Sequence, residues 1–494
     1  MTGGVFNLAA HDPRPKEEMS EEPKKSLLAG AGRYSIGSIL GMAGRIARVA
    51  LTARMLSPED AGTWLGLQLI LGYGANLHFG VLFGMFRNVP VARARGDDDG
   101  ADKVIRTSFT FVLGGTLLGA LVTVPVAVRF AQSSGRVALA TALLLAVTLL
   151  RSYYATLFKA EGRFAELGAV GAIGGVVSVI TLPLIWLFGV EGVLLGMLAQ
   201  ACVEGAYMLV RVAMPRFGLE MTVLRQQLSL GMMTLLTSVG MVLLTSIDRT
   251  VMLRRVGPAE TGLYYLGANV LLLLPALAAL PFDVLTPRYF ERVGRGEDLM
   301  PLLADPLRLT AKGFAPLIAV GATLVDPVIH TFFPNLRGGE NATLIAIAVS
   351  YPLVLATFAP NVFYALDRQL PSVLMIIGCS LAGIGAAVAA AWLGGGIAWI
   401  AAGAGVGQVL YHVVTTVGAT ALIGRPLRTG LAMALGSFGP GLLMAALAFG
   451  LRVGLARVLP DALWPRSILA FVIVALVGAP WALQSVRGLR ALRA

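Results

Sequence analysis

Charge is scarce in this chain: Asp, Glu, Lys and Arg together make up only 13% of its 494 residues, while 56% are apolar. A typical soluble protein carries about 25% charged residues, so the composition excludes a soluble enzyme and a disordered chain alike. Cysteine is almost missing. Cys202 and Cys379 both lie inside apolar runs, which excludes a disulfide scaffold and a cysteine-based metal centre. No GxxxxGK[ST] loop occurs, so no nucleotide site of that type is expected. Residues 1–26 mix Arg14, Lys16, Lys24 and Lys25 with Glu17, Glu18, Glu21 and Glu22. A secretory leader would instead place an apolar core soon after a few cations, so this stretch reads as a cytoplasmic tail.

What the chain does have is long apolar runs, with a mean hydropathy of +0.78. A bilayer core takes about 20 apolar residues per helix. Spans are predicted at 27–53, 61–86, 104–129, 136–157, 167–188, 191–211, 228–253, 261–286, 308–333, 342–363, 371–393, 396–421, 430–451 and 466–485. The expected fold is an all-α polytopic membrane protein of about fourteen helices, with short connections.

The net charge of +12 is explained by that topology. With the N-terminus inside, the inner connections hold most of the cations, as in Arg87, Arg93, Arg95, Lys103 and Arg106, or Arg288, Arg292, Arg295, Arg308 and Lys312. The outer connections hold few, among them Arg54, Arg129, Arg136 and Arg337. Cations gather on the cytoplasmic side of membrane proteins, so both termini are expected there. No connection is long enough for a basic nucleic-acid module, and no nucleic-acid partner is expected. The triplet Asp97-Asp98-Asp99 reads as a solvated turn.

The sequence repeats itself at a spacing of 200 residues. Arg54, Pro58, Asp60, Gly62 and Trp64 recur as Arg254, Pro258, Glu260, Gly262 and Tyr264, and Arg95-Gly96-Asp97-Asp98 recurs as Arg295-Gly296-Glu297-Asp298. A looser echo sets Lys159-Ala-Glu-Gly-Arg163 against Ala365-Leu-Asp-Arg368. An even number of spans separates the copies, so the repeat is parallel about an axis along the membrane normal. The resulting division is a tail at 1–26, a first lobe of six helices at 27–211, a linker at 212–227, a second such lobe at 228–423, and two further helices with a short tail at 424–494. Transporters commonly bind substrate between such repeats.

Several charges fall inside spans, where they are costly and mark pathways. Arg33, Arg45, Arg48 and Arg54 share one half of the first helix with Gly37, Gly41 and Gly44. Ile36, Ile39, Ala43, Ile46 and Ala50 form the opposite stripe, at the spacing of a lipid-facing or packing surface. The cationic, small-residue half is expected to line a wet cavity. Snorkelling to headgroups accounts for Arg54 and Arg33; Arg45 and Arg48 lie too deep for it. Arg151 adds a cation in the fourth span. Asp248 and Arg249 form a charged pair in the seventh, and each is expected to find its partner across the lobe interface, because adjacent helical residues do not face each other. Glu204, Asp283 and Asp326, the last with His330, form the acidic or titratable group. They read as charge balance for the arginines or as coupling residues. His78 and His412 read as polar packing.

The segment Arg54-Met-Leu-Ser-Pro58-Glu-Asp-Ala-Gly62, the turn Arg95-Gly96-Asp97-Asp98, Ile247-Asp-Arg-Thr250 and Gly257-Pro-Ala-Glu-Thr-Gly-Leu-Tyr264, in this order and with this span count, resemble the polysaccharide transporter (O-antigen flippase) family. That family belongs to the multidrug/oligosaccharidyl-lipid/polysaccharide superfamily. The resemblance implies two six-helix bundles forming a V, no enzyme activity, no cofactor, and a place in the bacterial inner membrane. It implies that an undecaprenyl-diphosphate-linked oligosaccharide crosses the membrane for lipopolysaccharide, capsule or exopolysaccharide synthesis, with H+ or Na+ as coupling ion. Membrane lipids and the polysaccharide assembly machinery are the implied partners. Members hold the anionic headgroup with cavity arginines, and Arg45, Arg48 and Arg249 stand where such groups would be. A multidrug exporter and a lipid II flippase share the fold. A drug exporter usually takes cationic cargo, for which carboxylates rather than arginines should dominate the cavity. A membrane glycan polymerase would need a sizeable outer loop.

Overall fold

The computed structural model describes residues 21–212, 214–279 and 286–493. The expectations for residues 1–20, for Asp283 and for the side chain of Arg33 lie outside the described residues. The described chain is helical, with no strand. Its α-helices in order are α1 (Glu21–Met55), α2 (Pro58–Gly74), α3 (Val81–Ala94), α4 (Asp98–Phe130), α5 (Gly135–Ala160), α6 (Phe164–Ile180), α7 (Pro183–Leu209), α8 (Met221–Leu244), α9 (Ile247–Arg255) and α10 (Gly257–Leu263). There follow α11 (Tyr265–Ala279), α12 (Thr286–Arg295), α13 (Met300–Phe332), α14 (Glu340–Leu355), α15 (Ala359–Ala365), α16 (Gln369–Trp392), α17 (Ile397–Leu422), α18 (Leu427–Val458) and α19 (Leu463–Arg493). Among the described residues 10 helices are long and apolar enough to cross a membrane, or 11 if the bent pair α10–α11 is one span. The protein is an all-helical, multi-pass membrane protein.

The predicted segments fall on helix, but several are broken rather than continuous. The second is split into α2 and α3 by residues 75–80, where Phe79 (φ 48) and Gly80 (φ 81) take left-handed conformations. The seventh is split into α8 and α9 at Thr245 and Ser246, and the eighth turns at Tyr264. The boundary predicted between the fifth and sixth spans corresponds to a kink inside α7 at Gly189 (φ 55). Apolarity sets whether a segment enters the bilayer; it says little about where the helix breaks, because broken backbone is tolerated wherever protein or water meets it.

The repeat is real in three dimensions. Gly96 and Gly296 both adopt positive φ, 74° and 67°. In each copy the following amide reaches back to the same carbonyl, Asp97 N–H to Ala92 O at 3.0 Å and Glu297 N–H to Arg292 O at 2.9 Å. The looser echo matches as well: Gly162 (φ 71) and Asp367 (φ 53) are left-handed, and Arg163 and Arg368 each close the turn at 2.8 Å, onto Phe158 O and Phe363 O. These are left-handed helix terminations that satisfy otherwise orphaned carbonyls.

The two copies meet reciprocally where α2 packs on α10. A Cβ on Gly62 would stand 1.8 Å from Pro258 O, and one on Gly262 would stand 1.6 Å from Pro58 O. Residue i touching j while j's counterpart touches i's is the signature of a two-fold relation. Around this point lies the largest apolar core, which joins Leu65 and Leu194 to Tyr265 and Ile400. Asn335 closes the same end by donating to Ala53 O (2.8 Å) and Leu56 O (2.6 Å) at the end of α1. After the repeat, α18 and α19 both pack along α13.

Candidate functional site

The first helix is positioned by glycine. α1 lies against α6 with Gly37, Gly41 and Gly44 facing Gly168, Gly171 and Gly175; a Cβ on Gly37 would be 1.8 Å from Gly168 O, and one on Gly44 would be 2.7 Å from Gly175 O. Small residues at one-turn spacing let membrane helices approach to backbone contact. The expectation that these glycines line the cavity is therefore corrected: they form a dry seam, and the arginines reach past its edge. The opposite stripe faces outward, with Ile39 61% and Ile46 44% exposed.

Close packing brings Arg48 onto α6 and α7. Its Nη2 donates to Ser178 Oγ (2.7 Å) and to Gln200 Oε1 (2.9 Å), while Nε and Nη1 have no protein partner among the described residues. Gln200 Nε2 donates to Glu204 Oε1 (2.7 Å), and Glu204 Oε2 accepts from Arg151 Nη1 on α5 (2.6 Å). The carboxylate of Glu204 fits because position 174 is glycine; a Cβ there would stand 1.9 Å from Oε1. The polar network thus runs Arg48–Gln200–Glu204–Arg151 across three helices. Ser178 and Gln200 carry no charge, so the cost of an ion within a span does not point to them. Their signal is only that each is a polar residue within an apolar run.

This network lines a cavity of about 290 Å³, with Arg45, Arg48, Arg151, Gln200, Glu204 and Tyr265 on its wall. Arg45 is exposed and has no partner among the described residues. Trp64 and Gln68 of α2 complete the wall. Three guanidinium groups face one carboxylate, so the cavity is net positive. Most of it belongs to the first repeat copy; Tyr265 is the contribution of the second.

A second cavity of about 620 Å³ shares Arg151 with the first and extends towards Lys159, between α3, α5 and α8. The broken backbone between α2 and α3 forms part of its wall through Asn76, His78 and Gly80. His78 Nδ1 accepts from Gly80 N–H at 3.0 Å, and Asn76 Nδ2 donates to Gly72 O at 3.1 Å. His78 was read as packing; it braces a bend that lines water-accessible space. This cavity lies between α3 and α5 of the first copy and α8 of the second, and it extends to Lys159 near the basic end of the bundle.

Other expected site residues lie elsewhere. Arg249 is buried, and does not line the central cavity: its Nη2 donates to Thr245 O (2.8 Å) and its Nε sits 3.7 Å from Asp248 Oδ1. The break after α8 leaves the Thr245 carbonyl without its helical donor, and the guanidinium takes that place. Asp248 accepts from Tyr264 Oη (2.6 Å) and from the Arg249 amide (2.7 Å). Both residues are thus held within the second repeat copy, which corrects the expectation of partners across the interface. Asp326 is paired with Arg452 of α18 at 2.7 Å, and His330 Nδ1 lies 2.9 Å from Asp326 O. At the basic end, Asp98 and Asp102 pair with Arg93, and Asp99 with Lys103. There the Arg163 guanidinium grips Glu166 at 2.6 and 2.7 Å and holds its carboxyl below the ordinary range.

A family model described as polysaccharide biosynthesis protein matches residues 51–335, more than half of the chain. The chain belongs to this family. The match takes in α2, α5, α7 and α11 of the central cavity wall but only the end of α1, so Arg45 and Arg48 lie before its start. None of the curated proteins matches. Among solved structures, the chain is similar to the lipid II flippase MurJ in its inward closed conformation, with a TM-score of 0.68 at 16% identity over 92% of this chain and 98% of that one. It is similar to an inward-facing multidrug resistance MATE transporter of the MOP superfamily, with a TM-score of 0.64 at 16% identity over 81% and 99%. An outward-facing MATE transporter gives 0.57 at 15% identity over 82% and 97%. At such identities the likeness is one of fold: this member of the polysaccharide biosynthesis family is built as MOP-superfamily transporters are.

Proposed function

We propose that the protein is a flippase that carries an undecaprenyl-diphosphate-linked oligosaccharide across the bacterial inner membrane, for assembly of a surface polysaccharide. The observation that carries this reading is the net-positive cavity of Arg45, Arg48 and Arg151 around Glu204. A guanidinium stays charged and donates in a planar array suited to phosphate oxygens. At about 290 Å³ the cavity lies near the lower end of small-molecule sites, about 300–1,000 Å³, a size for a diphosphate rather than for a glycan. The glycan then occupies the larger cavity below Arg151. A drug exporter for cationic cargo would carry the opposite sign of charge here. Transport proceeds by alternating access driven by a cation gradient, H+ or Na+, with the basic end of the bundle in the cytoplasm.

The test is Arg48→Ala in cells lacking the chromosomal copy. Surface polysaccharide is expected to disappear while the variant remains in the membrane at the wild-type level. Undiminished surface polysaccharide would overturn the assignment.

A further inference from the structure

The largest of the cavities described lies away from the central one. It measures about 730 Å³ and runs between α13 and α18, from Met300 and Arg428 at the basic end to Lys312 and Pro440. Both helices start at that end, and twelve residues of helix rise about 18 Å. That depth is about half of the roughly 30 Å hydrocarbon core, the thickness of one leaflet. The start of the groove is fastened by Arg425 Nη2 on Asp298 Oδ2 at 2.7 Å. Tyr351 of α14 ties the two helices together, its hydroxyl donating towards the carbonyls of two groove residues, Ala311 O (2.9 Å) and Ser437 O (3.1 Å).

Three cations line this groove: Arg308 and Lys312, one turn apart on α13, and Arg428 in the first turn of α18. None has a carboxylate within 4 Å among the described residues, and Lys312 meets only Gln484 Oε1 at 3.2 Å. Of the nearby acids, Asp298 is occupied by Arg425, and Asp305, one turn before Arg308 on α13, forms no ion pair with it. Between the cations the wall is apolar, with Leu307, Ala311, Met433 and Pro440. The flank of α18 is lipid-facing, since Leu431, Leu435 and Leu442 are 45%, 55% and 68% exposed. A groove one leaflet deep, open to acyl chains, apolar between unpaired cations, matches a molecule with a phosphate at one end and hydrocarbon at the other. Basic pockets between membrane helices bind anionic headgroups in this manner.

We propose that this groove is a binding site for the phosphate headgroup and upper acyl chain of an anionic phospholipid, separate from the central cavity. The site bridges α13 to α18 and so ties the additional helices to the second repeat copy. It does not depend on what the central cavity carries.

The experiment is native mass spectrometry of the full chain purified from nanodiscs of phosphatidylcholine with phosphatidylglycerol. The wild type is expected to retain phosphatidylglycerol in preference to phosphatidylcholine. The triple variant R308Q/K312Q/R428Q is expected to lose that retention about tenfold or more, and R428Q alone, which leaves Arg308 and Lys312 intact, to lose part of it. R48A is expected to retain the lipid as the wild type does. Equal retention by wild type, R428Q and the triple variant would overturn the proposal. So would displacement of the lipid by millimolar inorganic phosphate alone, which would mark a site for the free anion.

Discussion

Arg48 and Asp248 occupy equivalent places in the two repeat copies and carry opposite charges. Both are buried, at 7% and 1% exposure, yet their surroundings differ. Arg48 keeps two guanidinium nitrogens free beside a cavity, whereas both oxygens of Asp248 are taken by Tyr264 and the Arg249 amide. The duplication has produced one open cationic site, beside the cavity of the first copy, and one closed acidic counterpart in the second.

Arg48→Lys separates folding from binding at this position. A lysine ammonium can replace Nη2 in the bonds to Ser178 and Gln200, but it brings no second or third nitrogen to face an anion. The variant is expected to show a melting temperature close to the wild type in detergent, and a loss of polysaccharide export approaching that of Arg48→Ala. Export at the wild-type rate would show that the free guanidinium nitrogens are idle.

Gly174→Ala acts on the same network without touching a charge. The added methyl would meet Glu204 Oε1 at 1.9 Å, and must turn the carboxylate away from Gln200, Arg151 or both. Breaking a fully buried ion pair costs about 3–5 kcal/mol; with Arg151 35% exposed the expected loss is smaller, on the order of 2 kcal/mol. Thermal unfolding of the purified protein measures it, and an unchanged midpoint would mean that the pair contributes little.

Tyr264→Phe removes the hydroxyl that satisfies Asp248 Oδ2 in a fully buried setting. A hydrogen bond to a charged group contributes about 1.5–3 kcal/mol, and the burial of both residues keeps the orphaned oxygen from bulk solvent. A stability loss of that order is expected, with export reduced only in proportion to the folded protein. A selective loss of export at normal stability would instead place Asp248 in the transport cycle.

Much of this architecture is legible in the amino-acid sequence. Apolar runs placed the helices, since burial in hydrocarbon demands about 20 such residues, and the matched turns at Gly96 and Gly296 announced the repeat. The apolar stripe of α1 followed from the 3–4 spacing of Ile39, Ala43 and Ile46, which fits a lipid-facing or a packing surface alike; the fold turns it outward. Arg45, Arg48, Arg151 and Glu204 were singled out by the cost of charge in a span, and the fold gathers all of them on one cavity. The cost of charge gave no clue to Ser178 and Gln200, which are neutral and lie 130 and 152 residues from Arg48. Nor could it place Arg249, because the orphan carbonyl it caps exists only where the helix breaks. The glycines of α1 were assigned to the wrong surface: their wheel position is the same whether they admit water or another backbone.

The contacts of Gly62 with Pro258 and of Gly262 with Pro58 act as a clasp. Because each copy supplies the glycine to one contact and the carbonyl to the other, neither contact can part alone, and no methyl group can be added to either without prying at both. Separating the two copies at this end therefore means breaking both contacts, so how readily they part there is set by Pro58, Gly62, Pro258 and Gly262.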